Sequence, residues 1–391
     1  MTETMETNQN IKVLVTGASG FIGIHCVQQL LKENYTVRGT VRDLNNHIKI
    51  EPLKQLEGAA ERLELVEADL ESDQGWSQAT TDCTYLLHVA SPFPIVTDES
   101  VISTAVDGTL RVLRAVAKSS VKKVVLTSSC CAINEGHEDM NRMFSENDWS
   151  KIDSKNVNNY IKSKTLAEKA AWDFVHKEDV KFKLTVINPA FVVGPLLHNV
   201  RGTSVDVIRR FLNNEMPAVP AVQFGLVDVR DVAKAHIRAM RESRCDGLRI
   251  LMSYQPSFWF MDIANILRDE FSPQGYIISR FTVPYPIIWF YSLFSKEAKE
   301  QVLTRYGNEV HFDNSLAKDI LGIEFIDPKE SIIAMAYDII ERGMAPKRKN
   351  YRKPSVSHLL DVSKPSVGRK PSVGRESTNS TRHNSAQLDL T

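Results

Sequence analysis

Short apolar runs recur along the first half of the chain and alternate with longer amphipathic segments. Runs of this length without polar alternation are typical of strands buried on both faces, and the segments between them are long enough for helices. The pattern therefore predicts an α/β fold with a doubly wound parallel sheet. The predicted strands are Ile11–Val15, Thr36–Val41, Leu63–Val66, Tyr85–Ala90, Val124–Leu126 and Leu184–Ile187.

Helical periodicity predicts the crossovers between these strands. In the first crossover Val27, Leu30 and Leu31 share one helical face, and Asn34 is a suitable residue to stop the helix. A second helix is predicted over Asp107–Lys118. Beyond residue 195 the pattern becomes irregular, which predicts a smaller mixed α/β lobe, from which Asp231–Met240 returns to the sheet as a helix.

Three glycines stand at the junction between the first predicted strand and the first helix. Gly17 would let the chain leave the strand sharply, Gly20 would let a pyrophosphate approach the backbone, and Gly23 would let the helix pack close to the sheet. The turn predicts a dinucleotide site on a Rossmann sheet, with a wider glycine spacing than the common fingerprint. The N–H groups of the helix N-terminus would hold the phosphates, and they belong to Phe21, Ile22 and Gly23.

These patterns divide the chain into four parts. Residues 1–10 are predicted as a flexible N-terminus and 11–195 mainly as the NADP-binding Rossmann domain. Residues 196–344 are predicted mainly as a substrate lobe with segments that return to the first domain, and 345–391 as a disordered C-terminal tail. With 391 residues, of which 42% are hydrophobic, the chain can bury a large core.

Tyr160 and Lys164 are four residues apart on a predicted helix, so their side chains share one face and can reach one bound cofactor. Carbonyl reduction needs a proton donor at the oxygen, and a phenol with an ordinary pKa of about 10 is sluggish near neutral pH. A lysine cation beside the phenol, together with the positive nicotinamide of the oxidised cofactor, would lower the pKa of Tyr160. The pair predicts an acid–base site.

Arg42 ends the second predicted strand, at the position where dinucleotide-binding folds contact the adenosine ribose. An acidic residue there would hydrogen-bond the ribose, whereas a planar guanidinium can clasp an additional 2′-phosphate. Arg42 therefore favours NADP(H) over NAD(H), although Asp43 follows it directly.

The glycine turn, together with Val37–Asp43, resembles the extended short-chain dehydrogenase/reductase family, in particular its dihydroflavonol 4-reductase-like branch of NADPH-dependent aldehyde and ketone reductases. The resemblance covers residues 11–340 and implies that Tyr160 and Lys164 are the catalytic pair. It also implies that Ser129 polarises the carbonyl, with Ser128 as the alternate. The family has small residues after this serine, whereas this chain has Cys130 and Cys131, for which we expect a packing role.

The resemblance further implies contacts to the cofactor and the substrate. Lys49 would be a second contact to the 2′-phosphate, and Asn134 matches a substrate-contacting asparagine, although a turn residue is the competing interpretation. Val227–Ala233 matches an element that joins the lobes. The other implied cofactor contacts are Asp69 and Leu70 on the adenine side, Val89, Ala90 and Ser91 along the ribose, and Pro189 and Val192 beside the nicotinamide carboxamide.

Composition argues against several other classes of protein. The five cysteines form no C-x-x-C pair, which is typical of reduced thiols, so we expect a cytoplasmic location. The ten histidines show no metal-binding spacing, so no metal is expected. The polar N-terminus predicts no signal peptide, and Val283–Phe294 is too short and too interrupted by prolines to be an integral membrane segment. We expect this run to be buried or to cover the pocket, with a membrane-surface contact as the alternative.

The tail from Ala345 holds ten Lys or Arg and three acidic residues, hence +7, in a chain with zero net charge. Its Ser, Pro, Gly and Arg content predicts disorder, and basic residues without interleaved aromatics argue against nucleic-acid binding. Ser355 and Ser372 each follow an arginine by three residues, which resembles the sites of kinases that prefer basic substrates. An inert tail is the competing interpretation.

These observations predict an NADP-dependent oxidoreductase that reduces an aldehyde or ketone to an alcohol at a Ser-Tyr-Lys site, with a small-molecule carbonyl substrate. Two alternatives share the fold, a 3β-hydroxysteroid dehydrogenase-like enzyme and a sugar-nucleotide enzyme. A third, of another class, is a non-catalytic NADPH-binding regulatory protein. Arg42 favours NADPH-linked reduction, and the presence of Ser129, Tyr160 and Lys164 favours an enzyme.

Overall fold

A parallel sheet of seven strands forms the centre of this computed structural model, which describes residues 8–92, 98–200, 202–295 and 302–353. The strands are β1 (Lys12–Thr16), β2 (Thr36–Val41), β3 (Leu63–Glu67), β4 (Tyr85–His88), β5 (Lys123–Thr127), β6 (Met143–Phe144), β7 (Lys183–Pro189), β8 (Phe191–Val193), β9 (Gln223–Phe224), β10 (Leu226–Asp228), β11 (Arg249–Met252), β12 (Phe258–Trp259) and β13 (His311–Phe312). The helices are α1 (Phe21–Lys32), α2 (His47–Lys54), α3 (Ala59–Arg62), α4 (Trp76–Thr80), α5 (Ser100–Ala117), α6 (Asn159–Lys177), α7 (Thr203–Leu212), α8 (Val229–Arg241), α9 (Phe260–Phe271), α10 (Tyr285–Ser292), α11 (Ser315–Asp319) and α12 (Pro328–Glu341).

The sheet has the order β11-β7-β5-β4-β1-β2-β3 and is doubly wound. β1 pairs with β2 on one side and β4 on the other, so the chain builds outward from β1 in both directions. Six strands coincide with the predicted apolar runs to within about two residues, the usual uncertainty at an element boundary. The seventh, β11, was not predicted, and it pairs with β7 with Arg249 opposite Val186.

Helices cover both faces of the sheet, which confirms the predicted fold class. On one face Val27 and Leu30 of α1 pack with Val232 and Ile237 of α8 in a single buried cluster. The return of the chain over Asp231–Met240 is therefore confirmed. On the other face α5 and α6 contribute to a second buried cluster, which contains Val112, Leu113 and Ala171.

Two predicted boundaries can be compared with the helices observed. The backbone of Asn34 has φ of 63°, a left-handed conformation that asparagine tolerates, and α1 ends two residues before it, as expected from its role as a stop. α5 begins at Ser100, seven residues earlier than the predicted Asp107, because Val101 and Ala105 extend its buried face.

A third buried cluster lies beyond residue 190 and is formed largely by α7, α9 and α12. Short pairs of strands accompany these helices, including β12 with β9, which are antiparallel, and β10 with β8, which are parallel. The buried aromatic residues of this cluster include Phe211, Phe260 and Phe271. This mixed arrangement is the one that the irregular pattern predicted.

The apolar run Val283–Phe294 is mostly exposed, so the expectation that it is buried is wrong, while its role as a cover of the pocket stays a prediction. It contains α10, in which Trp289 and Phe290 are 50% and 60% exposed, and only Ile288 and Ser292 are buried. Hydrophobicity alone misled the prediction, because this short helix contacts the protein along one narrow face. Within the described ranges, no helix combines the length and the apolar character needed to cross a bilayer.

The first nine residues of the predicted tail belong to the compact unit that ends at Lys353, although most of them are exposed, so the boundary at Ala345 moves to Lys353. Ala345 is buried, the Tyr276 hydroxyl donates to the Pro346 carbonyl at 2.8 Å, and the Arg352 N–H donates to Gln274 at 3.0 Å. Composition did not reveal this segment because its contacts depend on the fold, and they also include the ion pair of Lys347 with Glu341 and the ring contact of Tyr351 with Tyr337. The predicted kinase sites, Ser355 and Ser372, lie outside the described residues, as does the rest of the tail.

Candidate active site

The glycine turn between β1 and α1 is held by hydrogen bonds that its N–H groups donate to Thr40 of β2. Gly17 has φ of 66°, its N–H donates to Thr40 Oγ1 at 3.1 Å, and a Cβ at Gly17 would lie only 3.0 Å from Ala90 Cα. A side chain at this position would therefore clash and also strain the backbone. The sharp exit from the strand predicted for Gly17 is the conformation observed.

The N-terminus of α1 is open for a ligand. Gly20 is its N-cap and provides no side-chain hydrogen bond to the helix, and the N–H groups of Phe21, Ile22 and Gly23 have no acceptor within a regular helix. A Cβ on Gly23 would approach the Gly17 carbonyl oxygen to 2.2 Å, so glycine is needed for the helix to pack against the turn. Free N–H groups at a helix N-terminus suit a phosphate.

The carboxyl ends of β1 and β4 are joined by side chains. Thr16 Oγ1 lies 2.8 Å from His88 Nδ1 and accepts a hydrogen bond from the Ala90 N–H at 3.0 Å. Val89, Ala90 and Ser91 follow β4 and are half-buried at this edge. Ala90 lies beside the glycine turn, since a Cβ built on Gly17 would be 3.0 Å from Ala90 Cα, and the contact of these three residues to the ribose stays a prediction.

The other predicted cofactor residues lie at further strand ends or on the surface. Arg42 directly follows β2 and is exposed, as is Lys49 in α2. Asp69 and Leu70 follow β3 and are half-buried, and the Asp69 carboxylate accepts the Glu71 N–H at 3.0 Å. Pro189 ends β7 and Val192 lies in the adjoining β8.

Helix α6 carries the predicted catalytic pair. Asn158 caps it, because its side chain accepts the Ile161 N–H at 3.0 Å. Lys164 follows Tyr160 by one turn of the helix, and its ammonium donates to Ser91 Oγ at 2.8 Å and lies 5.8 Å from the centre of the Tyr160 ring. Burial lowers the pKa of Lys164 to about 8.

Tyr160 lies close enough to Ser129 for the serine side chain to influence the phenol, so the structure brings these two predicted residues together. Burial raises the pKa of Tyr160 well above its ordinary value, and the thiols of Cys131 and Cys130 raise it further. The Ser129 side chain and the guanidinium of Arg305 act in the opposite direction. The predicted lowering of this pKa is therefore wrong for the protein chain by itself, because burial outweighs the neighbouring cations.

Ser128, the alternate to Ser129, forms a hydrogen bond to a buried carboxylate. Its hydroxyl donates to Glu168 Oε2 at 2.5 Å, and Asn188 Nδ2 donates to the same oxygen at 2.8 Å. Arg249 Nε donates to Glu168 Oε1 at 2.5 Å, and both partners of this ion pair are almost completely buried. Glu168 thus ties α6 to β5, β7 and β11.

Sequence reasoning missed Glu168, although one signal was present. Tyr160, Lys164 and Glu168 follow one another at steps of four residues, which places all three on one face of α6. The partner of Glu168, Arg249, is distant in sequence and carried no such signal.

A cavity of about 340 Å³ adjoins this site, and its wall includes Cys130 and Cys131, directly after Ser129. Asn134 also lines it, and its Oδ1 atom is buried with no hydrogen-bond partner among the described residues, which supports the predicted contact to a ligand. A second polar group in the wall is Arg305, whose guanidinium donates to Glu135 Oε1 at 2.8 Å.

Arg305 was not predicted, because it lies outside every motif and belongs to no recognisable sequence pattern. Only the fold brings it near Tyr160 and the two cysteines. A second opening of about 400 Å³, lined by His137, Arg142 and Trp149, is a surface groove that contains none of the predicted catalytic residues.

Comparison with known proteins gives the family. Residues 13–248 match the NAD dependent epimerase/dehydratase family. The chain is 37% identical over 295 residues to cinnamoyl-CoA reductase CAD2 of Medicago truncatula, covering 73% of this chain and 89% of the relative. It is 30% identical over 357 residues to the NADPH-dependent methylglyoxal reductase GRE2 of Saccharomyces cerevisiae, covering 85% and 98%.

Solved structures agree with this assignment. The structure of yeast methylglyoxal/isovaleraldehyde reductase Gre2 complexed with NADPH aligns with a TM-score of 0.70 and 30% identity, over 85% of this chain and 99% of that one. The glycine turn, the strand order and the relatives agree. The chain therefore belongs to the NAD dependent epimerase/dehydratase family and, within it, to the dihydroflavonol reductase-like branch of the extended short-chain dehydrogenase/reductases.

Proposed function

We propose that this chain reduces an aldehyde or ketone to the corresponding alcohol at a site formed by Ser129, Tyr160 and Lys164. The observation that carries the proposal is the proximity of Ser129 and Tyr160 next to the cavity, with the Lys164 ammonium 5.8 Å from the centre of the Tyr160 ring. A polarising hydroxyl, a proton donor and a cation are the groups that carbonyl reduction requires.

The chain is an NADP(H)-dependent oxidoreductase, and its own residues fit that cofactor. The N-terminus of α1 offers uncapped N–H groups beside glycines for the pyrophosphate, and Arg42 stands exposed at the end of β2 for a 2′-phosphate. Lys164 has three donors, and Ser91 Oγ accepts one of them, which leaves donors for ribose hydroxyls. When bound, the cofactor supplies the hydride that adds to the carbonyl carbon.

The remaining cofactor contacts follow the edge of the sheet. We assign Lys49 to the 2′-phosphate beside Arg42, and Asp69 and Leu70 to the adenine. The ribose and carboxamide contacts are assigned to Val89, Ala90, Ser91, Pro189 and Val192. All of these side chains other than Lys49 lie at or just beyond the carboxyl ends of strands, where open α/β sheets bind their ligands.

Tyr160 supplies the proton to the carbonyl oxygen, and Ser129 holds that oxygen by a hydrogen bond. The raised pKa of Tyr160 keeps the phenol protonated at neutral pH, which is the form a general acid needs. Lys164 stays largely charged at pH 7, because its lowered pKa of about 8 still lies above that pH. Its charge stabilises the phenolate that forms when the proton leaves.

The cavity indicates the substrate class. Its volume of about 340 Å³ lies at the low end of the range for ligand pockets, which is roughly 300–1,000 Å³, so it favours small carbonyl compounds over steroids and sugar nucleotides. Its polar wall groups, Asn134 and Arg305, suit a substrate that carries a second oxygen besides the reacting carbonyl.

The test is a panel of small aldehydes and ketones assayed by NADPH oxidation with the wild type and Tyr160→Phe. We expect Tyr160→Phe to lower turnover by roughly two to four orders of magnitude and to leave NADPH affinity nearly intact. Tyr276→Phe is the matched control, because it removes a hydroxyl that bonds to Pro346 far from the cavity. Turnover by Tyr160→Phe above about a third of the wild-type rate would remove Tyr160 from the mechanism.

The same assay separates the alternatives. A steroid dehydrogenase-like enzyme would turn over NAD⁺ with hydroxysteroids faster than NADPH with any aldehyde. A sugar-nucleotide enzyme would convert a nucleoside diphosphate sugar, and a non-catalytic NADPH-binding protein would turn over none of these substrates.

A further inference from the structure

Two adjacent thiols form part of the cavity wall and have no role in the proposed reduction. Cys130 and Cys131 open the short 3₁₀ turn Cys130–Ala132 that follows Ser129, and both are half-buried and line the cavity. The other three cysteines, Cys26, Cys83 and Cys245, are buried in the core. The chain therefore offers one pair of neighbouring thiols to small molecules that enter the cavity.

The two thiols are neighbours in one turn and face the same cavity, and they are not equivalent. The interaction between them raises the pKa of Cys130 and lowers the pKa of Cys131. The nucleophile in thiol–disulfide exchange is a thiolate, and the thiolate form is favoured at Cys131 over Cys130. Burial raises the pKa of both Cys83 and Cys245 to about 11, so these thiols are inert by comparison.

We propose that Cys130 and Cys131 form a modification site, at which exchange with a small disulfide closes a reversible disulfide between them and withdraws Ser129 from catalysis. The proposal uses the proposed function only for its effect on catalysis. The covalent step depends on the two thiols alone.

The exchange is balanced in two steps. The Cys131 thiolate attacks one sulfur of a small disulfide, which forms a mixed disulfide and releases the other half as a thiolate. Cys130, after losing its proton, then attacks the Cys131 sulfur, which closes the Cys130–Cys131 bond and releases the second half. Two protein thiols are oxidised, and one disulfide is reduced to two thiols.

The closed form must distort the turn. Consecutive Cα atoms are about 3.8 Å apart, whereas disulfides usually join Cα atoms at about 4.4–6.8 Å, so the peptide between the cysteines has to twist. That peptide carries the Cys131 N–H, which donates to Ser129 Oγ at 3.1 Å. Oxidation therefore disturbs the hydroxyl that holds the carbonyl oxygen. The strain also makes the bond easy to reduce, as expected of a regulatory disulfide.

The first experiment reads the covalent change without using activity. The full-length native enzyme is treated with glutathione disulfide, alkylated, digested and analysed by mass spectrometry. We expect the peptide that contains Cys130 and Cys131 to lose two hydrogen atoms and to escape alkylation, while Cys26, Cys83 and Cys245 remain thiols. Recovery of both cysteines as free thiols, or of a stable glutathione adduct without ring closure, overturns the proposal.

The second experiment links the modification to Ser129. Each enzyme is compared with its own reduced form, and we expect oxidation of the wild type to lower turnover at least about fivefold, the effect of one lost hydrogen bond, with recovery in dithiothreitol. NADPH affinity should stay within about twofold, because the contacts assigned to the cofactor are not in the turn. Cys130→Ser should form no internal disulfide, and the loss of turnover that follows closure of the disulfide should be absent from this variant.

Cys245→Ser is the matched control, and it should respond to oxidation as the wild type does. An oxidised wild type with unchanged turnover would contradict the effect on Ser129. If the reduced enzyme reduces no carbonyl compound, the proposed function fails, while the mass measurement still decides whether the disulfide forms.

Discussion

The buried carboxylate of Glu168 is expected to be the main anchor of α6, and removing it tests that assignment. Its two oxygens accept hydrogen bonds from Ser128, Asn188 and Arg249, and the Glu168 side chain is fully buried. Breaking a buried ion pair from one side leaves the other charge uncompensated, which costs about 3–5 kcal/mol. Glu168→Ala should therefore lower the free energy of unfolding by about this amount.

Glu168→Gln should cost less than the alanine variant. The amide keeps the size of the side chain and one acceptor oxygen, and Arg249 retains hydrogen bonds to the carbonyls of Glu146 and Asp148 at 2.8 and 2.5 Å. The loss is then that of a charged hydrogen bond, about 1.5–3 kcal/mol. Replacing both Glu168 and Arg249 by Met should recover part of the loss, because no buried charge remains unpaired.

Chemical denaturation of each variant at pH 7 measures these differences. Asp173→Asn is the matched control on the same helix, since its pair with Lys177 joins side chains that are 67% and 76% exposed. An exposed pair of this kind contributes at most about 1 kcal/mol. If Glu168→Ala costs no more than Asp173→Asn, the buried network does not hold α6 and the reasoning is wrong.

Three further outcomes are expected. Arg42→Ala should weaken the binding of NADPH about ten- to a hundredfold and that of NADH far less, because a charge-assisted contact to the 2′-phosphate is lost. Equal losses of affinity in titrations of the two cofactors would contradict the assignment of Arg42 to the 2′-phosphate. The pKa of Lys164 is lowered to about 8, so between pH 8 and 10.5 the unfolded chain binds more protons than the folded chain. Burial of the Lys164 ammonium therefore costs about 3 kcal/mol of stability below pH 8 and progressively less above it. Lys164→Met should thus be more stable than the wild type at pH 7 and lose this advantage by pH 10.5. If chemical denaturation gives the same difference in the free energy of unfolding at the two pH values, this expectation is wrong. Truncation after Lys353 should preserve turnover and melting temperature, whereas truncation after Met344 should lower the melting temperature because it removes Ala345 and the partners of Tyr276 and Gln274.

The sheet could be predicted because its strands carry their own signal. β1, β4, β5 and β7 are largely buried, and each contains a short run of apolar residues. β11 was not predicted, because it has only four residues, of which three are apolar. Its first residue, Arg249, is accommodated in the core by Glu168, which lies 81 residues away in sequence, and by backbone carbonyls that include those of Glu146 and Asp148.

In the predicted site, too, the local features could be predicted and those that depend on distant residues could not. The glycine turn and the spacing of Tyr160 and Lys164 are local, so their proximity to the strand ends followed from the pattern of the sheet. For the protein chain by itself the pKa of Tyr160 was predicted in the wrong direction, because the prediction considered the neighbouring cations and not burial, which depends on the whole fold. Arg305 could not be found for the same reason, since no local pattern reports which distant loop closes a cavity.

One face of α6 shows how stability and function are combined in this site. Tyr160 lies near Ser129 beside the cavity, the Lys164 ammonium donates to Ser91 one turn later, and Glu168 lies in the core after a further turn. Burial of the Lys164 cation destabilises the fold, yet Cys131 and, to a smaller extent, Glu168 raise the pKa of Lys164 and so oppose the effect of burial. Glu168 therefore acts twice, because the carboxylate that anchors the helix also helps to keep the lysine charged for the phenol one turn away from it.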